Sequence, residues 1–353
     1  MDMIVYYVGK RMGEEKRDGK GGNAVLKLYG TLGPSCDSAE TLERMLDLGM
    51  TGMRLNLSHT GLKQAEELVE KLQLAAQKSG VKPDLLIDMQ GPELRVGMMK
   101  GPTHMIEGKI ILLDQPGGIP LPKVITEHIE PGQELWMDDG KIRVEVFQAC
   151  GRLRGKVLRG GVLLGKKSVA IPGLDLWLPP LTESDKENLR LAKDFGVTGV
   201  MQPFVRCRED LEAVRAELGS NECEHVRLFA KIENRVGLEK LEELLPVCDE
   251  VVIARGDLGN AVPLWELPRV QKEIAALCRR EGKSFMVVTQ MLASMEHSAV
   301  PTRAEVSDIF NAVLDGASSV MVTGETATGE YPVEVIRYLV NTSREAEAYL
   351  GKQ

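Results

Sequence analysis

The sequence predicts an α/β protein, a (β/α)8 TIM barrel with a small all-β lid domain inserted after its third strand. Short apolar segments alternate with amphipathic helical segments along most of the chain, and eight such pairs can be counted. Eight strand–helix units with little chain left over are typical of a closed barrel. The helical period is lost between about residues 94 and 165, which indicates the insertion. An open doubly wound sheet is the main alternative.

The first part of the barrel is expected before residue 95. Strands are predicted at 25–31, 53–57 and 84–89, with helices at 38–48 and 61–79. The segment 38–48 has apolar residues at helical spacing. Asp37 is its expected N-cap, and Gly49 is the residue at which it should end.

The predicted lid consists of residues 95–165. Short apolar segments are separated there by Gly and Pro turns, as in PGQELWMDDGKIRVEV. Because the insertion follows a barrel strand, we expect it on the face where barrel proteins bind ligands, where it could act as a lid. The predicted domains are an N-terminal extension (1–24), the barrel (25–94 and 166–353) and the lid.

The remaining strand–helix units are expected after the lid. Helix 183–195 should lead back into the barrel and end at Gly196. The other predicted strands are 197–203, 226–231, 250–254, 284–290 and 318–323, and the other predicted helices are 209–218, 238–245, 267–281, 302–314 and 332–349.

Composition excludes several classes of protein. The net charge of the 353 residues is −8, which does not favour nucleic-acid binding. No apolar run approaches the roughly 20 residues of a membrane span, and residues 1–24 do not have the order of a signal peptide. The six cysteines form no C-x-x-C pair, so we expect reduced thiols and a cytoplasmic protein.

Charged and polar residues follow all eight predicted strands, and two strand ends are the most informative. Lys231 and Glu233 follow one apolar run, and Asp257 follows the next. The carboxyl ends of barrel strands surround one pocket. The two carboxylates suit Mg²⁺, while Lys231 and Arg54 suit phosphate oxygens. The candidate site therefore combines a divalent metal with an anionic, phosphate-containing substrate.

Other strand-end groups extend this site. Gly256 offers backbone N–H groups to an anion at a helix start. Asn56, Ser58 and Asp88 offer oxygens that suit a monovalent cation. Taken singly, such residues have ordinary interpretations, since Asp257 could cap a helix and His59 could be a loop histidine.

Ten segments in order resemble pyruvate kinase from Leu26 to about Ala348. The most specific are FAKIEN (229–234), VIARGDLG (252–259) and PTRAEVSDIFNAVLDGA (301–317). The others are GTLGP (30–34), GMTGMRLNLSH (49–59), LIDMQGPELRVG (86–97), MDDG (137–140), KKSVAIPG (166–173), VVTQMLASM (287–295) and TGETATGEYPVE (323–334).

The resemblance implies transfer of the phosphoryl group of phosphoenolpyruvate to ADP, giving pyruvate and ATP, in glycolysis. It implies catalytic roles for Lys231, Arg54 and Thr289. The implied substrate-binding residues are Arg54, Lys231, Gly256, Asp257, Thr289 and Thr323. The implied nucleotide-binding residues are Thr31, Arg54, His59, Arg95 and Lys167. Glu233 and Asp257 would hold Mg²⁺ or Mn²⁺, and the implied ligands of K⁺ are Asn56, Ser58, Asp88 and Met89.

The chain departs from the family pattern at several positions. Gln90 removes a positive charge near the site, and Pro203 replaces a Ser and could alter the substrate floor. Glu93 favours dependence on K⁺. The lid is shorter than usual, and we expect the family's C-terminal domain to be missing and, with it, sugar-phosphate regulation of that type. The barrel face is the surface through which a homodimer would form.

Two alternatives stay open at this point. A metal-dependent lyase or aldolase acting on pyruvate-like acids would use the same carboxylate pair and Arg54, because it also passes through a metal-bound enolate. A non-catalytic metabolite-binding homologue would tolerate the changes at Gln90 and Pro203.

Overall fold

The fold is described from a computed structural model that covers residues 25–58, 60–138, 140–172 and 178–352. The predicted N-terminal extension and His59 lie outside the described residues. Within the described ranges, no helix is both long enough and apolar enough to cross a bilayer. All six cysteines are free thiols; Cys150 is exposed and the other five are buried.

Three parallel strands and two helices form the first part of the barrel. They are β1 (Lys27–Thr31), α1 (Ala39–Leu48), β2 (Gly52–Asn56), α2 (Glu66–Ser79) and β3 (Asp84–Asp88). One-turn 3-10 helices at Pro34–Cys36 and Lys63–Ala65 precede α1 and α2.

The inserted lid forms its own antiparallel structure. Its elements are β4 (Thr103–Met105), β5 (Ile110–Leu112), α3 (Lys123–His128), β6 (Glu134–Met137), β7 (Ile142–Ala149), β8 (Arg152–Arg159), β9 (Gly161–Leu163) and β10 (Val169–Ala170). Five strands form a sheet in the order β10-β6-β7-β8-β5, while β4 pairs with β9.

The second part of the barrel contains the remaining five parallel strands. Its elements are α4 (Glu183–Leu191), β11 (Gly199–Gln202), α5 (Arg208–Ser220), β12 (Arg227–Ile232), α6 (Arg235–Glu239), α7 (Leu241–Leu244), β13 (Glu250–Ala254), α8 (Arg255–Ala261), α9 (Leu267–Arg280), β14 (Ser284–Val288), α10 (Arg303–Leu314), β15 (Ser319–Met321), α11 (Gly324–Ala327) and α12 (Pro332–Leu350).

The eight strands close into one barrel in the order β1-β15-β14-β13-β12-β11-β3-β2. Every neighbouring pair is parallel. The predicted (β/α)8 barrel is therefore confirmed, and the open doubly wound sheet is wrong because the first and last strands pair. The register places Thr31 beside Arg54 and Asn56 beside Asp88 at one end of the barrel.

Three apolar clusters account for the packing. One fills the space between strands and helices, and a second lies inside the barrel around Tyr29, Phe229 and Met286. The third belongs to the lid and includes Val169 and Ile171, which follow the predicted lid boundary at 165. The boundaries 95 and 165 stay predictions, but the packing groups these two residues with the lid.

The structure corrects several local predictions. Ser38 rather than Asp37 caps α1, since its hydroxyl oxygen accepts the N–H of Thr41 at 3.1 Å. Gly49 does end that helix, in the left-handed region at φ 117°. The lid is built of antiparallel strands as predicted, with one short helix, α3, in addition.

Other corrections concern the helix before β11 and the helices after β12. The segment predicted as a helix at 183–195 is helical only from Glu183 to Leu191. The helix predicted at 238–245 is two short helices, α6 and α7, which meet at Lys240. Helix α6 begins before the predicted residue 238, because Asn234 caps it. The Asn234 side chain accepts the N–H of Gly237 at 2.8 Å.

A buried polar cluster closes the end of the barrel opposite the strand carboxyl ends. Tyr29 donates its hydroxyl to Asp84 at 2.8 Å, and Arg227 pairs with Glu250 at 2.6 Å. Ser319 also donates to Glu250. Burial raises the pKa of Glu250, and the Ser319 and Arg227 contacts offset this only in part.

Glu250→Gln should change the pH dependence of stability. A carboxyl group with a raised pKa binds more protons in the folded protein, so its contribution to the free energy of unfolding decreases as pH rises from the ordinary Glu pKa of about 4.3 to the raised value. Urea unfolding at a series of pH values should show this decrease in the unmodified chain and a flatter profile in the variant. Glu212→Gln, at an exposed position of α5, is the control. Parallel profiles for the unmodified chain and Glu250→Gln would contradict the assignment.

Candidate functional site

A cavity of about 770 Å³ opens at the carboxyl ends of the barrel strands. Its wall includes the end of β1, the strands β2 and β3, and the residues that follow β12 to β15. The predicted site residues that line it are Thr31, Arg54, Asn56, Asp88, Lys231, Glu233, Asp257, Thr289 and Thr323. The structure therefore brings together groups from strands that are far apart in sequence.

Asp88 is the centre of the charged groups in the cavity. It is 2% exposed and lies at the end of β3. Arg54 donates to one of its oxygens from Nε at 2.9 Å and from Nη2 at 2.7 Å. Lys231 Nζ lies 3.1 and 3.2 Å from its two oxygens. Burial acts to raise the pKa of Asp88, but Lys231 and Arg54 outweigh it and hold that pKa below its ordinary range.

Lys231 joins Asp88 to the second carboxylate. Its Nζ lies 3.0 Å from Glu233 Oε1. Burial alone would lower the pKa of Lys231, yet the negative charges of Asp88 and Glu233 raise it well above the ordinary value. The side chain is therefore a fixed cation near the centre of the cavity rather than a proton donor at neutral pH.

Glu233 is a buried carboxylate whose negative charge a bound cation would stabilise. Its other oxygen accepts the N–H of Phe204 at 2.8 Å, and the residue is 3% exposed. Burial is the largest cause that raises the pKa of Glu233, to about 7; Lys231 opposes this rise, whereas Asp257 and Asp88 add to it. Glu233 and Asp257 thus form two carboxylates close enough to disfavour each other's charge.

The donors present fit a divalent metal at this pair. Two carboxylates with room for substrate oxygens match the ligand preference of Mg²⁺. Among the described residues, no group of three or more His, Cys, Asp or Glu side chains is placed to hold a metal ion. The predicted K⁺ ligands fit less completely, because both oxygens of Asp88 already face cations, and Asn56 Oδ1 accepts the N–H of Ser58 at 3.1 Å.

Thr289 follows β14 in a strained backbone conformation. Its φ is 79° and that of Gln290 is 55°, although β-branched residues rarely adopt positive φ. Arg255 holds this turn, since Nη2 and Nε donate to the Thr289 carbonyl oxygen at 2.7 and 3.2 Å. A Cβ on Gly256 would lie 3.0 Å from Thr289 Cγ2, so the glycine gives Thr289 room.

Thr31 and Thr323 also line the cavity, and residues of α11 hold both of them in place. Thr326 Oγ1 accepts the N–H of Thr31 at 2.8 Å and donates to its carbonyl oxygen at 3.0 Å. Glu325 is 1% exposed and accepts the N–H of Thr323 at 2.6 Å and that of Leu292 at 3.1 Å. These contacts fix Thr31 and Thr323 where they face the cavity.

Not all predicted site residues reach the cavity. Within the described part of the chain, Ser58, Met89 and Gly256 are not among the residues that line it, and neither are Arg95 and Lys167. Arg95 pairs with Glu93, and Lys167 pairs with Asp138 at 2.7 Å, on the lid side of the structure. His59 lies outside the described residues.

Pro203 does not form part of the cavity floor in the described structure. It packs against Gly91, where an added Cβ would lie 2.5 Å from Pro203 Cγ. Gln90 likewise lies where the chain leaves β3 for the lid. The expectation that Pro203 alters the substrate floor is therefore not supported by its position.

Sequence reasoning missed three residues that position the site. Phe204 supplies an N–H to Glu233 from a left-handed conformation at φ 53°. Arg255 holds Thr289, and Glu325 holds Thr323. Arg255 and Glu325 were visible as charged residues at strand ends, but which partners they contact depends on the neighbouring strand.

Comparison with known proteins agrees with the motifs. The family model described as pyruvate kinase, barrel domain, matches residues 24–336. The pyruvate kinase of Aeropyrum pernix is 37% identical over 324 residues, covering 91% of this chain and 70% of that protein. That of Agrobacterium vitis is 38% identical, covering 90% and 67%, and that of Geobacillus stearothermophilus is 34% identical, covering 88% and 55%. The chain thus spans between about half and 70% of the length of these relatives.

Arg255→Met should destabilise the fold. The change leaves the Thr289 carbonyl oxygen and Asp308, which Arg255 contacts at 2.6 Å, without their cation. We expect the free energy of unfolding to decrease by about 2–3 kcal/mol, below the range for fully buried pairs because Asp308 is partly exposed. Asp308→Asn keeps the contact with Thr289 and should lose about 1 kcal/mol or less. If urea unfolding shows the same decrease in the free energy of unfolding for both variants, the contact between Arg255 and Thr289 contributes nothing to stability.

Proposed function

The chain belongs to the pyruvate kinase family, and we propose that it transfers the phosphoryl group of phosphoenolpyruvate to ADP, giving pyruvate and ATP. One observation carries this proposal. Arg54, Lys231 and the carboxylates of Glu233 and Asp257 line one cavity together with Thr289. In the reaction the bond from phosphorus to the enolate oxygen breaks, a bond to the terminal oxygen of ADP forms, and the enolate carbon takes up a proton.

Arg54 and Lys231 bind and stabilise the phosphoryl group. Both are fixed by Asp88, so little reorganisation is needed when negative charge develops on the transferring group. Arg54 offers a planar fork of N–H donors, and Lys231 offers a compact charge. Since the pKa of Lys231 is raised, it stays protonated through the reaction.

Glu233 and Asp257 would hold Mg²⁺ or Mn²⁺. When bound, the metal supplies charge neutralisation to the substrate oxygens. It would also offset the burial and the repulsion from Asp257 and Asp88 that together raise the pKa of Glu233. Thr289, Gly256 and Thr323 would face the carboxylate and enolate of the substrate, and the Thr289 hydroxyl would lie near the proton delivered to carbon.

The nucleotide would lie along Thr31 and Arg54 at the mouth of the cavity, with His59, Arg95 and Lys167 as further ligands. Arg95 and Lys167 would reach the nucleotide only if the lid approaches the barrel, because neither lines the cavity among the described residues. Binding of K⁺ by Asn56, Ser58, Asp88 and Met89 is a further proposal, as are a cytoplasmic location and a homodimer through the barrel face.

The two alternative functions are not favoured. The three relatives compared above are each named pyruvate kinase. A lyase or aldolase would share the enolate chemistry, but would need no nucleotide. A sensor would have no need of a lysine whose charge is fixed by two buried carboxylates.

Lys231→Met should abolish most of the activity. With phosphoenolpyruvate, ADP, Mg²⁺ and K⁺, pyruvate formation by the unmodified chain is followed through a coupled reduction. Loss of the fixed charge should lower kcat by about 10²–10³-fold or more. Lys186→Met, at an ion-paired lysine on α4, is the control and should keep full activity. Absence of pyruvate formation by the unmodified chain, with phosphoenolpyruvate still bound, would refute the proposed function.

Glu233→Gln should weaken metal binding. The amide keeps the shape of the side chain but loses the charge that a hard divalent cation requires. We expect the Mg²⁺ concentration for half-maximal activity to rise by about 100-fold or more. Glu212→Gln on α5 serves as a control at an exposed glutamate. An unchanged Mg²⁺ requirement would remove Glu233 from the metal site.

A further inference from the structure

The lid is joined to the barrel by two connections that meet at the start of α4. The outgoing connection leaves β3 through Gln90 and Gly91. The returning connection reaches α4 through Leu178–Thr182, and the residues described on it are 171–172 and 178–182. Any change in the angle between the lid and the barrel has to be accommodated at these two segments.

One carboxylate contacts both connections. Asp185 is fully buried in the first turn of α4. It accepts the N–H of Gln90 at 2.8 Å and that of Gly91 at 3.1 Å, on the outgoing side. On the returning side it accepts the N–H of Thr182 at 2.9 Å and its hydroxyl at 2.7 Å.

Helix capping explains only half of these contacts. Thr182 and Asp185 form a capping box, in which each side chain accepts the other's backbone N–H. That motif needs no contact with Gln90 or Gly91, which lie more than 90 residues away in sequence. The additional contacts therefore tie the helix start to the outgoing connection.

The outgoing connection is constrained at the same point. Gly91 is in the left-handed region at φ 61°, and a Cβ there would overlap Pro203. The returning connection has further side-chain contacts, because Gln202 donates to the carbonyl oxygen of Pro180 at 2.9 Å and Arg206 donates to that of Leu178 at 2.6 Å.

We propose that Asp185 is a positioning residue that couples the two lid connections and so sets how the lid approaches the cavity. This inference rests on the proposed function, in which Arg95 and Lys167 reach the nucleotide from the lid side. Arg95 lies four residues after Gly91, so a rotation at the outgoing connection moves it directly.

Asp185→Asn is the informative change, because it keeps the shape of the side chain. A carboxylate can accept from all four donors, whereas the amide has one oxygen and its NH₂ group repels donors. Some backbone N–H groups at Gln90, Gly91 or Thr182 must then lose their acceptor. Glu305→Gln is the matched control, because Glu305 forms the equivalent capping box in α10 and accepts the N–H of Ser294 at 2.7 Å, away from the lid connections.

The lid angle can be measured without reference to activity. Cys150 lies in the lid as the exposed cysteine of the chain, so it accepts a spin label while the buried cysteines are protected. Glu347→Cys on the exposed face of α12 provides the second labelling site. Electron–electron distances between the two labels are then compared in the full chain, alone and with Mg²⁺ and ADP.

We expect Asp185→Asn to broaden or shift the distance distribution and Glu305→Gln to leave it unchanged. The KM for ADP should rise by about tenfold, with the KM for phosphoenolpyruvate changed much less. Unchanged distances in Asp185→Asn, or an equal shift in Glu305→Gln, would overturn the inference. An unmodified chain without kinase activity would refute the proposed function alone, since the distances still decide the role of Asp185. If Asp185→Asn does not fold, Asp185→Ser removes the carboxylate without adding an NH₂ group and is judged by the same distances.

Discussion

The buried carboxylate of Asp88 is the contact on which the candidate site depends. An ionised carboxylate in the protein interior is several kcal/mol less stable than in water unless cations compensate it. Arg54 and Lys231 supply that compensation and are thereby held at the ends of β2 and β12. Two cations that would otherwise repel each other are kept together, ready for an anionic group. Lys231 then extends the same network to Glu233.

The strained backbone of the barrel lies beside this network. Phe204, Thr289 and Gln290 adopt positive φ directly after β11 and β14, where non-glycine residues lose of order 1–3 kcal/mol each. Each strained turn has a polar contact that offsets the strain: Phe204 donates to Glu233, and Arg255 donates to Thr289. The packed barrel supplies the stability that allows these conformations, and the conformations direct polar groups at the cavity.

The lid and barrel have separate apolar cores, and this separation makes their connections important. Neither core has to be disrupted for one unit to rotate against the other. The angle between the lid and the barrel is therefore controlled by a few polar contacts at the base of the lid. Asp185 provides four of them, in a place where sequence shows only an ordinary helix cap.

The sequence by itself determined the eight strands, the barrel, the insertion point and nine of the charged and polar residues that line the cavity. These features depend on local hydrophobic periodicity and on the rule that strand ends of a barrel converge. The sequence did not determine which residue caps α1, where the lid forms a helix, or that a helix breaks at Lys240. Competing local signals are nearly equal at these positions. Only the tertiary structure decided that Asp88 pairs with both Arg54 and Lys231, that Arg255 holds Thr289, and that Pro203 packs at the lid connection. Such contacts join residues distant in sequence, and their partners are fixed by strand register and packing rather than by any local pattern.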